Sequence, residues 1–134
     1  MKTVVDEGVP RQLVQALRDH GIDANRFPRP WAALGNGALL KTIEEAGFSV
    51  LVTNDKNMAY QQSLQGRSIA VVALPYNKRR LILERVEAIA DTITHAKPGE
   101  HVVIGLDGRR IIHSVINGMP VSRELPAVAP FKAR

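Results

Sequence analysis

Short unbroken apolar runs alternate with segments of helical periodicity along most of this chain. Thr3-Val4-Val5 is such a run and stops at Asp6-Glu7-Gly8-Val9-Pro10, which reads as a buried strand and a turn. Residues 11–20 place Leu13, Val14, Ala16 and Leu17 at helical spacing, and Gly21 is a helix stop. Ile22 to Phe27 reads as a second strand, and Pro28 to Leu34 as loop. Gly35-Asn36-Gly37 opens another amphipathic helix, with Leu39, Leu40, Ile43 and Ala46 on its apolar side and Gly47 at its end. Phe48 to Thr53 is the clearest strand. A polar helical turn or two is expected between Asn57 and Leu64.

Ser68 to Leu74 predicts another strand, broken by Pro75. Arg79 to Ala96 predicts one long helix with Leu81, Ile82, Val86, Ile89, Ala90 and Ile93 along a single stripe. His101–Gly105 and Arg109–Val115 predict a hairpin across Leu106-Asp107-Gly108, since Asp-Gly is a strong turn signal. Strand and helix alternate before this hairpin, and the strands lack a polar face. That combination predicts an α/β fold with a buried, mainly parallel sheet. The expected organisation is a core over residues 1–96, a hairpin over 97–117 and a Pro-containing basic tail over 118–134.

The composition narrows the functions open to such a fold. With 134 residues and 45% hydrophobic positions, the chain suits one globular domain. It has no run near the roughly 18 apolar residues of a membrane span, and MKTVVDEGVP contains no apolar h-region. No cysteine is present, which removes disulfides, thiolate nucleophiles and Cys-based zinc sites; a cytoplasmic setting is expected. Lys and Arg number 18 against 13 Asp and Glu, a net charge of +5, with basic excess in Lys78-Arg79-Arg80 and from Arg109 onward. Such an excess favours polyanions without choosing one.

In an open parallel sheet, ligands bind beyond the carboxyl ends of the strands. Asp6 and Glu7 follow the first strand there, Asn54-Asp55-Lys56-Asn57 follow residues 48–53, and Tyr76-Asn77-Lys78 follow residues 68–74. Arg11, Asn36 and Arg79 begin helices on the same edge. Carboxylates gathered on one edge repel by about 4 kcal/mol per pair at 4 Å and an effective dielectric near 20, so they need a shared proton, a basic partner or a cation. Oxygen donors without Cys or clustered His favour Mg²⁺ or Mn²⁺. Lys56 and the Lys78–Arg80 cluster would hold flanking phosphates, a composition suited to metal-assisted cleavage of nucleic acid. Helix capping is the plainer reading of Asp6, Glu7, Asn36, Asp55 or Asn57 taken singly. His20, His95, His101 and His113 have no metal-ligand spacing, and Trp31 reads as a packing anchor rather than a base-stacking platform.

Several of these segments together resemble small bacterial PIN-like proteins. The resemblance lies in Val5-Asp6-Glu7 with Pro10 and a helix ending in His20-Gly21, and in Gly35-Asn36-Gly37-x-Leu39-Leu40. It continues through Glu45-Ala46-Gly47-Phe48-x-Val50-Leu51-Val52-Thr53-x-Asp55-x-Asn57, Tyr60-Gln61-Gln62 and the strand Ile69–Leu74, covering roughly residues 2–95. It implies a three-layer PIN-like fold with a mainly parallel sheet between helices, the C-terminal β-hairpin being added to it. In active members it implies an Mg²⁺- or Mn²⁺-dependent ribonuclease, often the toxin of a toxin–antitoxin pair.

Under that resemblance Asp6 and Asp55 are the catalytic and metal carboxylates, assisted by Glu7 and Asn36. Lys56, Asn57, Lys78, Arg79, Arg80 and Arg11 are the substrate-facing set. RNA, a small antitoxin protein and a second copy of the chain are the partners this reading allows; no membrane is involved. Asn36 stands nearest the place where PIN nucleases carry a further acid, and Asn57 where many relatives carry another; Glu44 and Glu45 lie two turns further on. These departures leave a second reading, a catalytically degenerate PIN-like module that binds RNA or a partner protein. A phosphoacceptor receiver domain is a poorer fit. Asp6-Glu7, Asp55 and Lys97-Pro98 imitate its acids and lysine, but Lys97 follows a helix and neither Ser nor Thr closes the 68–74 strand.

Overall fold

A computed structural model gives the structure of the protein, and it describes residues 2–55 and 64–132. Strands β1 (Lys2–Val5), β2 (Asp23–Arg26), β3 (Val50–Thr53), β4 (Ala70–Ala73), β5 (His101–Ile104), β6 (Arg110–Ile116) and β7 (Met119–Leu125) form one sheet in the order β2-β1-β3-β4-β5-β6-β7. The first five strands in that order run parallel, and β6 and β7 are antiparallel additions. Helices α1 (Gln12–Asp19), α2 (Asn36–Glu45), α3 (Arg79–Leu83) and α4 (Val86–His95) and a 3₁₀ turn (Arg29–Ala33) complete the described elements.

Alternation along each parallel strand divides the core between the two faces of the sheet. Val5, Val50, Val52, Ala70 and Val72 pack with Leu13 and Leu17 of α1, Ile82 of α3 and Ile89 and Ile93 of α4. Val4, Leu51 and Val71 pack on the other face with Leu39, Leu40 and Ile43 of α2, and with Phe27, Trp31 and Phe48. The unbroken apolar runs are therefore strands covered on both sides, as their sequence predicts.

The long helix predicted over 79–96 is two helices. Arg85 leaves the helical region at φ −119°, and its Nε donates to the carbonyl of Pro130 at 2.8 Å. The break turns Ile82 and Ile89 onto the same core, and both are fully buried. The expected loop at 28–34 contains the 3₁₀ turn, in which Pro30 near the start leaves no needed N–H unpaired.

Residues 118–134 are not a free tail. Asn117 and Gly118 have φ of 51° and 77°, the left-handed pair that a two-residue hairpin turn requires, and β7 returns along β6. The following segment docks as a strap. Val128 N–H donates to Gly108 O at 2.9 Å, Phe131 N–H donates to Leu106 O at 2.8 Å, and Phe131 is buried in the core.

Much of the C-terminal basic excess is matched within the molecule. Arg110 is 5% exposed, donating to Asp91 at 2.7 Å, to Thr92 and to the carbonyl of Pro126. Arg109 pairs with Glu124, and Arg123 meets Glu100 at 3.0 Å. Arg110 ties β6 to α4, Arg123 ties β7 to the segment ahead of β5, and Arg109 links β6 to β7.

His101 faces His113 across β5 and β6, with ring centroids 6.0 Å apart. Its Nε2 is buried without a hydrogen-bond partner among the described residues. Burial, and secondarily the charge of His113, push its pKa down to about 4. The folded state thus resists a proton that the unfolded chain takes up near pH 6.5. The contribution is whole above pH 6.5 and is lost as pH falls toward 4. We expect about 2 kcal/mol of stability to disappear between pH 7 and pH 5. Urea midpoints at those two pH values should show the loss in the wild type and a much smaller one in His101→Phe.

Candidate functional site

The strand order places a topological switch between β1 and β3. The chain leaves β1 through α1 on one face toward β2, then crosses through α2 on the other face to β3. Crevices form beyond the carboxyl ends of strands at such a point. Asp6 lies at the end of β1 and Thr53-Asn54-Asp55 at the end of β3, side by side because Val5 pairs with Val52.

Thr53 joins the two. Its buried hydroxyl donates to Asp6 Oδ2 at 2.7 Å and accepts from the backbone N–H of Asp55 at 3.1 Å. The Asp6 backbone N–H donates to Val52 O at 2.8 Å, so backbone and side chain both fix this carboxylate. Asn54 secures the neighbouring loop by donating to Gly8 O at 3.0 Å. A Cβ at Gly8 would lie 2.8 Å from Asn54 Oδ1, so glycine is what allows this close approach.

A cleft of about 380 Å³ opens beside this junction, lined by Asp6, Glu7, Gly8, Phe27, Trp31, Ala32, Leu34, Asn36 and Leu39. The structure thus brings Asp6, Glu7 and Asn36 into one cavity. Asp55 is exposed outside this lining and is tied to it through Thr53. Capping does not explain Asp6, Glu7 or Asn36. Asn36 is the first residue of α2 behind Gly35, and neither α1 nor α2 has a side-chain cap hydrogen bond. The donors are carboxylates and an amide, which suit a hard cation. Among the described residues no group of three or more His, Cys, Asp or Glu side chains is placed to hold a metal.

Glu44 and Glu45 lie away from the cleft. Glu44 accepts from the backbone and hydroxyl of Ser68 and pairs with Arg67 at 3.2 Å, where the chain enters β4. The Ser68 backbone N–H, then its hydroxyl and Arg67, hold the Glu44 carboxyl below its usual range. Lys97 also sits at an entry edge, ahead of β5, opposite the rim that carries Asp6 and Asp55. The lysine of a receiver-type site would have to lie on the other side of the sheet.

Of the expected substrate residues, Lys78 precedes α3 and lines a second cavity of about 380 Å³ with Asn54, Pro75, Tyr76 and Asn77. Its Nζ lies 5.4 Å from the centre of the Tyr76 ring. Arg79 and Arg11 are exposed at the starts of α3 and α1, and Arg80 pairs with Glu84 at 3.3 Å along α3. Lys56, Asn57 and Tyr60-Gln61-Gln62 lie outside the described residues.

Spacing alone assigns Thr53 no role of its own and Trp31 only a packing one. Trp31 does pack, stacking on Phe27 at 6.2 Å and 19° and meeting Phe48 edge-on at 6.2 Å, but it also walls the acidic cleft. The Thr-x-Asp spacing after a strand was the available signal for Thr53. For Trp31 nothing in the sequence said which cavity its ring would border. No helix among the described residues is long and apolar enough to cross a membrane. Comparison of the chain with protein-family models, with curated proteins and with solved structures returns no match.

Proposed function

We propose that this chain is a PIN-like, Mg²⁺- or Mn²⁺-dependent ribonuclease that hydrolyses phosphodiester bonds endonucleolytically, acting as the toxin of a bacterial toxin–antitoxin pair. The observation that carries this reading is the Thr53 hydroxyl, which couples Asp6 to Asp55 at the switch point beside Glu7 and Asn36. The same reading assigns the sheet to the PIN-like arrangement, with the Thr53-x-Asp55 strand next to the Asp6 strand.

Asp6 and Asp55 would hold the ion, with Glu7 and Asn36 assisting directly or through water. Their oxygen donors fit a hard cation. When bound, it supplies an acidified water and neutralises charge on the phosphate. Thr53 occupies Asp6 Oδ2 and leaves Oδ1 for a ligand, fixing the orientation of the carboxylate. Lys78 and Arg79, exposed on the same rim, would bind the flanking phosphates. The hydrophobic wall of Phe27, Trp31 and Leu34 limits water on one side of the cleft.

Purified protein incubated with single-stranded RNA should cut it in Mg²⁺ or Mn²⁺ and stop on addition of chelator. Asp6→Asn and Asp55→Asn should each reduce the rate by at least about a hundredfold, the scale of removing a preorganised charged group. Full cleavage by both variants, or cleavage indifferent to chelator, overturns the proposal.

A second reading is a PIN-like module that binds RNA or a partner protein without hydrolysis. It is favoured by the small number of acids around the cleft, where Asn36 stands beside Asp6 and Glu7. RNA binding unaffected by chelator, with no product formed, would select it.

A further inference from the structure

Two cavities flank the acidic junction, and each combines an aromatic ring with polar groups. On the β2 side, Phe27 and Trp31 lie nearly parallel, at 19°, with Phe48 braced edge-on behind Trp31, so this wall is set before any ligand arrives. On the β4 side, Tyr76 and Lys78 border the second cavity beneath the same ring–cation contact. Asn54, which lines the second cavity, donates to the carbonyl of Gly8, which lines the first. With strands spaced about 4.8 Å apart, the path from the end of β2 to the end of β4 spans roughly 14 Å of rim.

The chemistry along this path is ring, carboxylates, amide, ring and ammonium. Each cavity is about 380 Å³, within the range of small-ligand pockets, and too small for a packed helix. Aromatic walls beside cationic groups suit unpaired bases, which expose a flat face to stack and a phosphate to pair. A base held in a duplex has no such face free.

We propose that an unpaired nucleic-acid strand crosses the carboxyl rim with one base against the Phe27–Trp31 wall and another at Tyr76, its phosphate on Lys78. The phosphodiester between the two bases then passes Asp6. This assignment rests on the ribonuclease reading and adds the residues that choose where along the strand the cut falls. Trp31 and Tyr76 are base-positioning residues.

The chain contains a single tryptophan, so intrinsic fluorescence reports on this wall alone. Wild-type protein should be titrated, in chelator so that the strand is not cut, with a single-stranded oligoribonucleotide and with the same oligomer annealed to its complement. The single strand should quench Trp31 emission to saturation, and the duplex should bind far more weakly. Tyr76→Ala should weaken single-strand binding roughly 5- to 150-fold. Lys78→Ala should weaken it severalfold and reduce the salt dependence by about one ion. Absence of quenching by the single strand, equal quenching by the duplex, or unchanged affinity in both variants overturns the proposal. RNA cleavage without quenching would reject this strand path and keep the ribonuclease. Quenching without cleavage would keep the path and reject the ribonuclease.

Discussion

Replacement of Gly108 by alanine is expected to cost about 3 kcal/mol or more of folding stability and to release the C-terminal strap. Gly108 has φ +86°, where a side chain is strained by about 1–2 kcal/mol. A Cβ at that position would also overlap the carbonyl oxygen of Val128 and lie 3.2 Å from the carbonyl carbon of Ala129. The strap cannot stay where it is. Its backbone bonds from Val128 to Gly108 and from Phe131 to Leu106 would weaken, and Phe131, 3% exposed, would lose its place in the core. Burial of one such ring alone is worth about 1.5–3 kcal/mol.

Gly118 supplies the control. It has φ +77° but nothing within 4 Å of a built Cβ, so Gly118→Ala should cost only the conformational strain of about 1–2 kcal/mol. Urea denaturation of both variants checks the difference, and amide exchange should show Phe131 and Val128 opening in Gly108→Ala alone. Equal losses in the two would mean that the strap contributes little.

That strap shows where the sequence stops being readable. Apolar runs at residues 3–5, 48–53 and 68–74 announce strands buried on both faces, and they are. The Asp-Gly turn before Arg109 is also found as expected. The second hairpin carried an equally good signal in Asn117-Gly118. Its outer strand, however, is largely exposed at an edge and holds Pro120, so it lacks the apolar run that marks the inner strands. Burial of Phe131 and pairing of Arg110 with Asp91 depend on segments far apart in sequence, which local periodicity cannot register.

The candidate site was legible to the same degree. Asp6 and Asp55 could be placed at strand exits from pattern alone. Their relation required the strand order, which sets β3 beside β1. The Asn36 position in the cleft required the helix crossing between β2 and β3. A ring's orientation, as with Trp31, is a matter of packing among Phe27 and Phe48 and leaves no trace in spacing.

Thr53→Val separates the architecture of the site from its chemistry. Valine keeps the shape of the buried side chain and its preference for strand, but it removes the hydroxyl. Asp6 Oδ2 then loses a 2.7 Å donor, and the Asp55 N–H loses its acceptor at 3.1 Å. A hydrogen bond to a charged group is worth about 1.5–3 kcal/mol, and we expect a loss near the lower end because Asp6 is only half-buried and water can reach it. The larger effect should be functional. Groups that orient a metal-binding carboxylate typically change metal affinity or activity by about 10- to 100-fold when removed. Cleavage should therefore fall by that factor while the fold persists, and Thr53→Ser, which keeps the hydroxyl, should restore most of it. Isothermal titration with Mn²⁺ gives an independent readout, with weaker binding expected in Thr53→Val and near-wild-type binding in Thr53→Ser. If valine leaves both cleavage and Mn²⁺ affinity unchanged, Thr53 is a packing residue, and the coupling of Asp6 to Asp55 has no bearing on function.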